Sequence, residues 1–234
     1  MDSNKKTARI AGVLYLLVGI FGGFAEGYVE PKMYVAGNAA ATAANVVANA
    51  GLVRMGVVAD LLDQTFFIFL ALTLYSLLKD INKNVATAML FLVVLAVGIG
   101  SITAVFEFEG LQVATGAVNF TSFGAGGSNS VVLLLLDAQH YGLLVAQIFF
   151  GLWLAPLGYL AIKSGWFPKS LGILLIIGTV CYLIDFLVAF ISPGISQMIH
   201  GYITIPSAFA EIWMVYYLLV TGVRGHKPGE AILQ

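Results

Sequence analysis

Apolar residues run along this chain in long stretches, with polar positions gathered between the stretches or at their ends. A bilayer core needs about 20 mostly apolar residues per helix. Six segments qualify: 8–29, 54–78, 85–112, 140–162, 170–192 and 207–223. The fourth is most apolar over 143–162 and is preceded by the run Val131 to Leu136. Read as one helix, 131–162 would extend about 48 Å at 1.5 Å per residue, longer than a ~30 Å hydrocarbon core. It is therefore predicted to project outward or to break near Asp137, and Pro156 should kink it further along.

The connections are asymmetric. Those around Lys79 to Asn84 and Lys163 to Lys169 are short, which makes consecutive helices antiparallel neighbours. Those at 30–53, 113–139 and 193–206 are longer. In the first of them Asn38, Thr42, Asn45 and Asn49 recur at helical spacing, with Ala43, Val46, Val47 and Ala50 on the opposite face. This predicts a short amphipathic helix capped by Asn38 and ended by Gly51, serving as a packed connector or an interfacial lid. Residues 114–130 are rich in Gly, Ser and Thr and read as a flexible loop, with a glycosylation sequon at Asn119-Phe120-Thr121. The halves of the chain show no evident repeat, which weakens an inverted-repeat transporter reading.

Basic residues orient the spans. Lys5, Lys6, Arg9, Lys79, Lys83, Lys163, Lys169, Arg224 and Lys227 fall on one side, and only Lys32 and Arg54 on the other. Lys and Arg mark the cytoplasmic side, so both termini are expected there, which agrees with six spans. The first span is read as an uncleaved helix, since its apolar run is longer than a signal-peptide core despite Gly23-Phe24-Ala25. The expected architecture is one all-α, six-helix transmembrane domain over 1–234, multi-pass in the cell membrane, with lipid as its immediate partner.

Composition supports this and excludes alternatives. Of 234 residues, 60% are hydrophobic and 10% charged, against roughly a quarter charged in soluble domains. Such a chain is too apolar for disorder. Eleven bases against twelve acids leave a net charge of −1, with no basic surplus for nucleic acid. One cysteine, Cys181, excludes a disulfide framework or a cysteine zinc finger.

The near-neutral total hides a polar separation. Glu26, Glu30, Asp60, Asp63, Glu107, Glu109, Asp137, Asp185 and Glu211 all fall in the outer halves of spans or in outer loops. Charges inside spans are costly and point to function. Their similar depth predicts an acidic cavity open to the outside that binds a cation or small polar ligand. Asp60 and Asp63 share a helix face, which Gln64 extends, and Asp185 and Glu211 complete the expected ligand set. Asp137 and His140, three apart, could offer two ligands from one turn, with His200 from the last loop as a third. That set suits a divalent ion such as zinc better than calcium. Glu107 and Glu109 diverge by about 200°, so at most one can face a shared centre. An intramembrane metal-dependent hydrolase or transferase acting on a lipid or amphiphile, with Asp60, Asp63 or Glu211 as base, is an alternative. A structural subunit whose acids pair with a partner is another. Some of the acids also suit helix N-termini, where the macrodipole favours anions. Gly19 and Gly23, and Gly98 and Gly100, read as close-approach positions between helices. Phosphate-loop, HExxH and GxSxG motifs are absent from the sequence.

Several stretches are familiar together: Arg9-Ile-Ala-Gly-Val-Leu-Tyr15, Asp60-Leu-Leu-Asp-Gln64, Gln147-Ile-Phe-Phe-Gly-Leu-Trp153 with Pro156-Leu-Gly-Tyr159, Gly165-Trp-Phe-Pro168 before Leu171-Gly172-Ile173, and Ala210-Glu-Ile-Trp213. Across nearly the whole chain the sequence resembles a prokaryotic membrane family, domain of unknown function 4386. The resemblance implies a polytopic membrane protein and carries over no activity and no functional residues.

Overall fold

The structure, a computed structural model, describes residues 3–118, 120 and 124–223. The sequon at Asn119 and the tail bases Arg224 and Lys227 lie outside the described residues. Described secondary structure is all helical: α1 (Ser3–Phe24), a π-helical turn (Ala25–Val29), α2 (Glu30–Met33), α3 (Ala39–Ala48), α4 (Ala50–Leu78), α5 (Lys83–Ala114), α6 (Gly124–Leu152), α7 (Leu154–Ser164), α8 (Lys169–Ile191), α9 (Pro193–Ile203) and α10 (Ile205–Val220). Six helical stretches are long and apolar enough to cross a bilayer: Ser3–Met33, Ala50–Leu78, Lys83–Ala114, Gly126–Ser164, Lys169–Ile191 and Pro193–Val220. This is a polytopic membrane helical bundle, and lipid is its environment.

Of the two outcomes expected for the fourth span, the long one holds: the helix runs unbroken through Asp137, since nothing there removes a backbone donor, and is interrupted at Trp153, between α6 and α7. Pro156, just beyond, has no N–H and releases the carbonyl four residues back. The segment 193–206 is helical rather than a loop. Pro193 sits in the first turn of α9, where its missing N–H costs nothing, and Pro206 does the same for α10. The expected flexible loop is shortened by α6, which already begins at Gly124.

The short helix expected after the first span is present as α3. The Asn38 side chain accepts from the Ala41 backbone N–H at 3.0 Å, as a cap should. Its faces differ from expectation. Thr42 is buried with Ala43 and Val46, while Val47 is exposed. Thr42 can turn inward because its hydroxyl donates to the Val35 carbonyl and accepts the Val35 N–H, both at 3.1 Å. Gly51 does not end this helix. Asn49 does, and Gly51 lies in the first turn of α4.

The chain folds as two compact units. The first comprises Met1–Leu16, Ile68–Val94 and Gln147–Gln234. Within it α7 and α8 cross at glycine: a methyl on Gly158 would come within 2.5 Å of the Gly172 carbonyl oxygen. The turn joining them passes through Gly165 at φ +66°, a conformation that favours glycine. The second unit comprises Leu17–Phe67 and Leu95–Ala146. Its apolar core gathers Val29, Met33, Ala43, Val46, Val53, Leu111, Val132 and Leu136, so α3 is a packed connector there.

Candidate functional site

In the first unit, acids meet neutral donors. Glu211 on α10 accepts hydrogen bonds from the Tyr15 and Tyr182 hydroxyls, both at 2.9 Å and one to each carboxylate oxygen. Tyr15 is itself fixed against Trp153, with ring centroids 5.5 Å apart. One turn along α8 from Tyr182, Asp185 is 1% exposed. The Gln147 amide donates to it at 2.8 Å, and His200 Nδ1 lies 3.0 Å from both of its oxygens. A carboxylate with several donors is stable when buried, because each lone pair lost from water is replaced. His200 is otherwise exposed and belongs to α9, a helix with no buried residue.

In the second unit, acids gather around one another. Asp60 on α4 and Glu107 on α5 are buried and share a side-chain hydrogen bond. Glu26, exposed on the π-helical turn, has Asp60, Asp63 and Glu30 as charged neighbours. Gln64 donates to Asp63 at 3.1 Å. Glycines let these side chains lie flat between helices. An added methyl on Gly22 would come within 3.4 Å of Asp63, on Gly56 within 3.2 Å of Glu107, and on Gly100 within 2.9 Å of the Gln64 amide. Gly19, Gly23 and Gly98, the other close-approach candidates, have no such neighbour within 4 Å. Glu109, as the divergence from Glu107 requires, is exposed.

A second pairing in this unit ties α6 to the segment after the π-helical turn. The Tyr34 hydroxyl donates to Asp137 at 2.6 Å, and His140 Nδ1 lies 2.7 Å from Glu30. Tyr34 also stacks on His140 at 5.1 Å. Glu30 and Tyr34 are four apart, Asp137 and His140 three apart, so two helical stripes close on each other. Removal from water, then the hydrogen bond to Asp137 and that group's charge, push the Tyr34 phenol well above its ordinary value.

The residues singled out from sequence thus fall into distinct sets. Asp60, Asp63, Gln64, Asp137 and His140 belong to the second unit; Asp185, His200 and Glu211 belong to the first. The expected metal trio is divided between them: Asp137 and His140 are engaged by Tyr34 and Glu30, and His200 by Asp185. Among the described residues no group of three or more His, Cys, Asp and Glu could hold a metal ion. Sequence reasoning left Glu107 and Glu30 out of the site and took no notice of Tyr15, Tyr34 and Tyr182. Gln139, buried between Asp137 and His140 in sequence, was also missed, although an uncharged amide in an apolar span was a visible signal.

The sequence profile of the family described as domain of unknown function (DUF4386) matches residues 10–222, and the chain belongs to that family. An uncharacterized protein of Archaeoglobus fulgidus is similar, 29% identical over 162 residues, or 69% of this chain and 78% of the relative. No solved structure matches.

Proposed function

We propose that this member of the family is a cell-membrane protein that binds a small monovalent cation at the Asp60–Glu107 carboxyl pair, with both termini cytoplasmic and the site toward the outer side. The meeting of two buried carboxyl groups carries the reading: Asp60 and Glu107 are both buried, and Glu107 Oε1 lies against Gly56, one turn before Asp60 on α4. Two neighbouring like charges, both buried, cannot both persist, so the pair holds one proton and one negative charge. A single monovalent ion neutralises that remaining charge. Carboxylate and amide oxygens are hard ligands, suited to alkali ions rather than to zinc. Asp63 and Glu30, near the pair, raise the local cation concentration. The close fit of Gly56 against Glu107 and of Gly100 against Gln64 leaves little space for an organic substituent.

The test is unfolding of the purified protein in detergent with lithium, sodium or potassium chloride, against choline chloride at equal ionic strength. A ligand at 100 times its dissociation constant adds about 2.7 kcal/mol to stability. At least one alkali ion should raise the melting temperature above the choline control, and Asp60→Asn should abolish that rise while remaining folded. Equal melting temperatures in all four salts, or a rise that survives in Asp60→Asn, would refute the proposal.

A further inference from the structure

We infer that Gln139 is a second acceptor for the proton on Glu107, so that a monovalent cation binds at Asp60 without expelling that proton; this rests on the reading of Asp60–Glu107 as the cation site. Gln139 on α6 is 2% exposed, and its side-chain oxygen has no hydrogen-bond partner among the described residues. A buried acceptor left unmet is costly, so its presence asks for a donor.

The packing of α5 on α6 says where that donor lies. Gly142 sits against Thr103, and Leu136 sits against Gly110. The two helices are therefore antiparallel, in a register that sets Gln139 opposite Glu107. At about 100° per residue, Gln139 falls between Leu136 and Gly142 around the α6 axis. Glu107 falls within about 60° of Thr103 and Gly110 around α5 by the same rule. Glu107 thus has Asp60 on the α4 side and the Gln139 amide on the α6 side. Its Oε1 also lies where a methyl on Gly56 would come within 3.2 Å.

With no other cation present, the Glu107 O–H donates to the Asp60 carboxylate. A cation at Asp60 displaces this hydrogen bond. The same O–H then turns to the Gln139 oxygen, and no proton leaves. The unmet acceptor of the empty form becomes the partner of the occupied form. Without Gln139 the displaced proton has no acceptor, and cation binding becomes exchange for a proton.

Infrared difference spectroscopy on a lipid film of the full chain, with sodium chloride washed in over choline chloride at neutral pH, reads both partners. In the wild type the protonated-carboxyl band should shift in position and keep its area. Protein labelled with ¹³C at the glutamine side-chain carbonyl should show an amide band move that Gln139→Met lacks, which separates Gln139 from Gln64 beside Asp63. Gln139→Met, unbranched and of similar length, should lose the carboxyl band when sodium enters and release one proton per site. Loss of the band in the wild type, no movement of the labelled amide, or a Gln139→Met spectrum identical to the wild type would overturn the inference while leaving sodium binding intact. Absence of any carboxyl change with sodium, and equally with lithium or potassium chloride in its place, in wild type and variant alike, would instead remove the cation site and this inference with it.

Discussion

The two units treat their acids in opposite ways. In the first, Glu211 and Asp185 are surrounded by donors that carry no negative charge: two phenols, an amide and an imidazole. In the second, Asp60 and Glu107 bond to each other, with Glu26, Asp63 and Glu30 nearby. The first arrangement is complete as it stands and ties helices together: α1, α8 and α10 at Glu211, and α6, α8 and α9 at Asp185. The second requires a proton, and a carboxyl pair that depends on a proton can respond to another cation. Burial of an acid is thus a poor guide to its role. What the acid is bonded to separates a structural clasp from a site that can change state.

Isosteric amides sharpen this contrast, and the largest effect belongs to the first unit. Glu211→Leu takes the acceptor from the Tyr15 and Tyr182 hydroxyls, at about 1–3 kcal/mol for the buried Tyr15 and less for the partly buried Tyr182. Glu211→Gln keeps one acceptor oxygen of two and should cost about half as much. Glu107→Gln should cost no more than about 1 kcal/mol, because its amide N–H donates to Asp60 with no proton required. Chemical unfolding of the three variants in detergent gives the order directly. Equal losses for Glu211→Gln and Glu107→Gln would erase the distinction between clasp and site.

How much of this was legible beforehand depends on the range of the interaction. The six spans, the Asn38 cap and the Pro156 break follow from local pattern, since each depends on neighbours within a few residues. The acids at similar depth were also visible, because a charge inside an apolar run is conspicuous. Their grouping was not, because it depends on pairs such as Tyr15 with Glu211, 196 residues apart. Tyrosine misleads in this setting. Its ring suits packing and the membrane interface, while its hydroxyl is what a buried carboxylate needs. The π-helical turn at Ala25–Val29 was equally hidden, since one extra residue per turn leaves the composition unchanged. That turn carries Glu26 and leads directly into Glu30.

A smaller effect is expected where the first unit meets solvent. The side chain of His200 is 61% exposed, and its bond to Asp185 holds a helix with no buried residue of its own. His200→Ala should lower global stability by less than about 1 kcal/mol, in keeping with other exposed pairs. Its local effect should be larger. Amide hydrogen exchange along Pro193–Ile203 should speed up several-fold, while exchange in α8 remains unchanged. Unaltered exchange in α9 would mean that its backbone is held by α8 packing, and that Asp185 clasps only α6.

The smallest effect tests whether the second unit also contains a clasp. Tyr34 donates to Asp137 at 2.6 Å, so this acid, unlike Asp60, already has a neutral partner. Tyr34→Phe should cost less than about 1 kcal/mol at neutral pH, since the site is only partly buried. The pH dependence is more telling. The phenol is raised above its ordinary value in the fold, whereas an unfolded tyrosine ionises near pH ~10. Below that pH both states hold the proton, and the hydrogen bond contributes in full. Above it the unfolded chain sheds a proton that the fold retains, so the contribution declines as pH rises. The stability gap between wild type and Tyr34→Phe should therefore narrow through pH ~10. A gap that stays constant there would mean Tyr34 supports Asp137 through ring packing on His140 alone. Asp137 would then join Asp60 among the acids of this unit that lack a neutral clasp.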